Sequence, residues 1–154
     1  LVGEVMDSVP EGSVLDLYAG VGLYSVVLAV AQRGRVIAVE GDPVSGRDLL
    51  RNAAPYYDTL RVMRSSVEAF VTRPIKTSPD TLIVDPPRTG MSKEAAEGIA
   101  RMGAARIVYV SCDPPTMARD ARRLLDAGYR LLSLRGFDLF PNTPHVETLG
   151  VFER

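Results

Sequence analysis

Cys112, the only cysteine of the chain, stands in Val110-Ser111-Cys112-Asp113-Pro114-Pro115-Thr116, a setting that suits a nucleophile. The preceding run RIVYVS reads as a strand, Asp113 as a helix N-cap and Pro114 as the first helical position. Exposed amides and the helix dipole at such a start favour a thiolate. Asp113 opposes this by like charge. The ordinary alternative is a small buried hydrophobe. A second candidate lies near the end of the sequence, where His145-Val146-Glu147 holds the only histidine and an acid two residues later. On a strand these two side chains share a face with Leu149 and Val151, and a charged pair leading an otherwise apolar face needs a reason. A frayed, solvated strand start is the bland reading. One histidine and scattered carboxylates make no three-ligand set at recognisable spacing, so no metal site is expected.

Asp16-Leu17-Tyr18-Ala19-Gly20-Val21-Gly22 follows a strand-like run and opens a helix-like one. Gly20 and Gly22 let the backbone turn tightly and approach a ligand closely. Roughly 20 residues further on, Glu40 closes the second strand, where a carboxylate can accept ribose hydroxyls of an adenosine-containing cofactor. Asp16 helps to choose among such cofactors. An acid just before the turn repels a pyrophosphate but tolerates a sulfonium and an ammonium. Ser25 also stands where a dinucleotide loop has its third glycine, so an NAD-linked oxidoreductase is the least favoured reading.

Asp85-Pro86-Pro87-Arg88 ends another strand-like run, and its two prolines stiffen the loop that aims Asp85 and Arg88. An arginine there favours a planar or phosphate partner through its bidentate fork, in keeping with a nucleotide. The alternative is a rigid turn with a surface arginine.

These residues need a frame. The runs SVLDLY, RVIAVE, LRVMR, TLIVD and ARIVYVS are nearly continuous in apolar character and alternate with helical segments, which predicts a doubly wound α/β sheet buried on both faces. Pro43 and Ser92 mark helix starts; Gly34 and Gly128 mark ends. After Gly128, YRLLSLRGFDLF and HVETLGVFER are separated only by Pro141 to Pro144, too short for a parallel crossover, so five parallel strands and then an antiparallel β-hairpin are expected. Ligands in such sheets bind beyond the carboxyl ends of the parallel strands, which brings Tyr18 to Gly22, Glu40, Asp85 to Arg88 and Ser111 to Asp113 to one edge. The last strand runs the opposite way and starts there, placing Glu147 near Cys112.

Composition bounds the rest. The 154 residues are 46% hydrophobic and 24% charged, which fits one globular domain and excludes a disordered tail, a collagen-like repeat or a long coiled coil. A net charge of -1 excludes a basic arm that grips nucleic acid by bulk charge. One cysteine fits a reducing cytoplasm. The opening LVGEVMDSVP has neither a basic n-region nor a long apolar run, so no signal peptide or membrane association is expected. Its near-helical apolar spacing reads as the remnant of an upstream helix in residues 1–12, ahead of a domain in 13–154. The polar stretch Arg73–Pro79 is the one candidate linker.

Taken in order, DLYAGVGLYSV, RVIAVEGDP, IVDPPRTGM, YVSCDPPTMARD and FPNTPHVE resemble the RNA uracil-5-methyltransferase family, S-adenosylmethionine-dependent enzymes of tRNA and rRNA. The resemblance runs from about Ser13 to the end. It implies a Rossmann-like class I methyltransferase domain, mostly parallel with a C-terminal antiparallel β-hairpin, using S-adenosyl-L-methionine on an RNA substrate and expected to be a monomer. Cys112 falls in the family's nucleophile position and Glu147 in its proton-acceptor position. Tyr18, Gly20, Gly22, Leu23, Glu40 and Asp85 fall in its cofactor-contact region. Leu23 departs from the asparagine often found there, which leaves only backbone or van der Waals contact. Arg88 and His145 are candidates for orienting the base or its phosphate. A cytosine-5 RNA methyltransferase and a non-catalytic cofactor- and RNA-binding module are the alternatives. Family members usually carry an upstream RNA-binding module, and the sequence is expected to be a domain cut from a longer protein.

Overall fold

A computed structural model describes residues 1–74, 77–143 and 145–154. Ile75 and Lys76, within the linker expected at 73–79, and Pro144 lie outside the described residues. The parallel strands β1 (Val14–Leu17), β2 (Val36–Glu40), β3 (Leu60–Arg64), β4 (Thr81–Val84) and β5 (Arg106–Ser111) form where the aliphatic runs predict them. Between them lie the helices α2 (Leu23–Val30), α3 (Pro43–Ala53), α4 (Val67–Val71) and α5 (Lys93–Met102). Helix α6 (Pro114–Asp126) leads from β5 to β6 (Arg130–Phe137), and β7 (Glu147–Glu153) completes the sheet.

The sheet order is β3-β2-β1-β4-β5-β7-β6. The terminal pair is antiparallel, as expected, but β7 inserts between β5 and β6 and is antiparallel to both. Strand β6 therefore runs with the first five, and β7 alone opposes them. A hairpin read as local in sequence cannot reveal which of its strands touches the rest of the sheet.

Both faces of the sheet are covered. One core joins Leu15, Leu17, Leu82, Val84, Ile107, Tyr109 and Phe152 to α4, α5 and α6. The other joins Val14, Ala38, Ile83, Val108, Val110 and Leu149 to α2, α3 and the short helix α1 (Val2–Asp7). Val5, Met6 and Val9 are buried in this second core, so the expected helix remnant packs as part of the domain. All four residues of β1 and of β4 are buried, which matches their unbroken apolar character.

The helix starts carry the side-chain caps that the sequence signals. Asp42 accepts from the Val44 and Ser45 amides ahead of Pro43. Ser92 accepts from Ala95 and Asp113 from Thr116. These three strand-to-helix connections are thereby held at the carboxyl end of the sheet.

Candidate active site

Gly20 and Gly22 both adopt left-handed backbone conformations, with φ of 57° and 96°. At Gly22 a Cβ would stand 2.7 Å from Leu49 Cδ1, so the turn packs against α3 as well as bending. At Gly20 no atom lies within 4 Å of that position among the described residues, leaving open space beside the backbone. The Gly20 amide donates to Glu40 Oε2 at 2.7 Å, and the Asp42 amide donates to Glu40 Oε1 at 2.6 Å. The Glu40 carboxylate is thus clamped at the turn. Each of its oxygens keeps a lone pair for a further donor.

Asp16 lies beneath this turn with no exposed surface. Ser25 Oγ donates to Asp16 Oδ2, while Oδ1 has no hydrogen-bond partner among the described residues. Burial, reinforced by Asp85 and Glu40, lifts the Asp16 carboxyl from the usual range to about 7. Asp85 is lifted to about 7 as well, first by burial and then by the charge of Glu147. Three strands, β1, β4 and β7, therefore deliver acids to one region, and Tyr24 of α2 senses all three. Acids gathered from three strands, with open space at the Gly20 backbone, suit a ligand that brings cationic and hydroxyl groups.

Tyr18 has φ of 61°, unusual for a side chain of its size. Its ring packs on the α4–α6 side, and its buried hydroxyl has no partner among the described residues. Leu23, at the first position of α2, is half exposed and lines a shallow groove with Arg51, Asn52 and Tyr56.

Ser111 of β5 pairs with Thr148 of β7. Continuing that register by one residue sets Cys112 opposite Glu147, and Glu147 is paired on its other side with Phe137 of β6. Thr148 Oγ1 donates to the Ser111 carbonyl at 3.0 Å, fastening the two strand ends beneath the thiol and the acid. Cys112 is a free, partly buried thiol. Arg88 Nη2 donates to His145 Nε2 at 3.3 Å, which ties the DPPR loop to the segment leading into β7.

One structural residue escaped the sequence reading. Asp120 of α6 is fully buried; its Oδ2 accepts from the Met91 amide at 2.8 Å and the Tyr109 hydroxyl at 2.9 Å. Its Oδ1 accepts from Arg119 Nη2 at 2.9 Å and Arg123 Nη1 at 3.1 Å. Arg119 also donates to the Thr89 carbonyl at 2.9 Å and Arg123 to the Met91 carbonyl at 3.2 Å. The loop after Asp85 is anchored to α6 by this knot. The signal was an acid on the apolar stripe Met117, Asp120, Leu124, flanked by two arginines.

Comparison with known proteins bears on this arrangement. Residues 73–154 match the family model described as tRNA (Uracil-5-)-methyltransferase. An uncharacterized RNA methyltransferase of Streptomyces avermitilis is 40% identical over 141 residues, covering 90% of this chain and 32% of that protein. The 23S rRNA (uracil(1939)-C(5))-methyltransferase RlmD of Alcanivorax borkumensis is 36% identical over 160 residues, covering 98% of this chain and 34% of that one. The crystal structure of Pyrococcus abyssi tRNA (uracil-54, C5)-methyltransferase in complex with S-adenosyl-L-homocysteine superposes with a TM-score of 0.84 at 32% identity, covering 98% of this chain and 36% of that one. The chain thus spans about a third of the length of the curated relatives it matches.

Proposed function

The chain belongs to the tRNA (uracil-5-)-methyltransferase family, and from that premise we propose that residues 13–154, with helix α1 packed against them, form the catalytic domain of an enzyme that methylates carbon 5 of a uridine in tRNA or rRNA. The observation that carries this reading is the β5–β7 register, which sets a thiol opposite a carboxylate at the edge where the glycine turn opens.

Asp16, Glu40 and Asp85 would hold S-adenosyl-L-methionine. The unpartnered Asp16 oxygen suits its cationic end, and the clamped Glu40 carboxylate suits its ribose hydroxyls. When bound, it supplies a methyl group activated by a positively charged sulfur. The chain's own residues supply the rest. Carbon 5 of uracil is a weak nucleophile. The Cys112 thiolate adds to carbon 6, and the electron pair of the 5,6 double bond moves toward the carbonyl at carbon 4, making carbon 5 electron-rich. Once carbon 5 bears the methyl group, it also carries one proton too many. Glu147 takes that proton, the 5,6 double bond re-forms, and the Cys112–carbon 6 bond breaks to return the thiolate. Arg88 and His145 orient the base or its phosphate. A uridine stacked in folded RNA must first be extruded to reach the thiol.

The test uses RNA containing 5-fluorouridine, whose fluorine cannot leave as a proton does. With S-adenosylmethionine present, the wild type forms an RNA–protein adduct that survives denaturation, and Cys112→Ala forms none. With ordinary RNA, Glu147→Gln accumulates enzyme-linked methylated RNA. Absence of adduct from RNA that is demonstrably bound would sink the cysteine assignment; free product released at the wild-type rate by Glu147→Gln would exclude that residue as the base.

A further inference from the structure

The connection from β6 to β7 leaves the sheet at Phe137, directly beside Glu147. Within it, residues 140–143 form a tight turn. The Thr143 amide and the Thr143 hydroxyl both donate to the Phe140 carbonyl, at 3.1 and 2.7 Å. Pro141 occupies the second position of the turn, and Asn142 the third with φ of 66°, the pattern that a type II turn demands. The His145 amide donates onward to Thr143 Oγ1 at 3.3 Å, and before the turn the Leu139 amide donates to the Phe137 carbonyl at 3.1 Å. The loop is thus braced by its own backbone and by Thr143. The Phe140 side chain takes no part in that bracing. Its ring is 49% exposed, and Leu139 and Val146 beside it are 48% and 38% exposed.

A single exposed apolar residue is unremarkable. Here an aromatic ring stands on a braced turn that leads into the proposed base, while the same loop touches the Arg88 guanidinium through His145. An exposed aromatic ring and a cation on one connection are what unpaired nucleotides require, since the base stacks and the phosphate is neutralised. We propose that Phe140 is the stacking surface for a nucleotide adjacent to the reactive uridine, with Arg88 taking the neighbouring phosphate. Drawing a uridine out of its stack uncovers the faces of its neighbours at a cost of about a few kcal/mol. An exposed ring on a turn whose backbone is already braced can restore one such face with little further ordering of the chain. This assignment rests on the RNA reading above, and it gives Phe140 a role toward RNA and none toward the cofactor.

The probe is a short single-stranded RNA with one uridine and the fluorescent base 2-aminopurine beside it, whose emission falls when it stacks. Binding to the wild-type chain at low salt is expected to quench the probe. Phe140→Ala should abolish the quench and weaken binding about five- to hundredfold, from the usual worth of one base–aromatic stack. Phe140→Trp should restore both. S-adenosylhomocysteine affinity should be the same in all three proteins, which shows that the fold is kept. Unchanged quenching and affinity in Phe140→Ala would overturn the proposal, as would a wild-type chain that does not bind the probe at all. The two readings fail separately. Normal adduct formation with 5-fluorouridine RNA in Phe140→Ala, with binding unaltered, removes the stacking role and leaves methyl transfer intact. Quenched, bound RNA that never forms an adduct does the reverse.

Discussion

At the scale of single residues, the most telling feature is a pair of acids kept out of water. Asp16 and Asp85 each have a carboxyl lifted to about 7, chiefly by burial. In the unfolded chain both titrate near 4, so between about pH 4 and 7 the folded protein holds protons that the unfolded chain has released. That contribution to stability is complete below pH 4, shrinks as pH rises toward 7 and is gone above it. Asp16→Asn, which keeps an acceptor for Ser25, should therefore match the wild type in urea unfolding near pH 4 and exceed it at pH 8 by on the order of 4 kcal/mol. The same variant should lose affinity for S-adenosylmethionine. The need for an acid before the glycine turn was legible in the sequence, because a pyrophosphate would be repelled there. The protonation of that acid was not, since it depends on burial in the assembled sheet and then on Asp85 and Glu40 arriving from other strands.

Elements set the spacing between those residues, and helix α5 shows how tightly. Gly98 has an ordinary helical backbone, where alanine is normally better by about 1 kcal/mol. A Cβ there would stand 2.3 Å from Val71 Cγ2 and 2.4 Å from Val71 Cβ, so α4 and α5 touch through a position with no room for a methyl. Gly98→Ala should lower the thermal midpoint despite its better propensity, and adding Val71→Ala should recover part of the loss. The strands and most helix starts were legible because aliphatic runs, prolines and capping residues act locally. The Asp120 knot was not, since its partners Met91 and Tyr109 lie on other elements. The place of β7 was hidden for the same reason: pairing with β6 follows from a short connection, whereas pairing with β5 follows only from the assembled sheet.

For the whole molecule, a net charge of -1 offers little bulk attraction to phosphates, so under the proposed function these 154 residues would hold RNA by few contacts. Binding to single-stranded RNA should be weak at physiological salt, with a log–log salt slope near about -1, as expected for one or two phosphates neutralised. Arg88→Gln should flatten that slope by about 0.7. A steep slope in the wild type would mean that a basic surface elsewhere grips the RNA.

The insertion of β7 between β5 and β6 also sets an order of events during synthesis. Strand β6 leaves the ribosome before β7, yet among the described residues its only partner in the sheet is β7, and Leu131, Leu132 and Leu134 stay exposed even in the finished fold. The glycine turn and the thiol can be in place on a nascent chain, but the carboxylate that would release product cannot. Under the proposed mechanism, capture of a base would draw on elements that precede β7 and its release on β7 itself, so turnover would require the completed sheet.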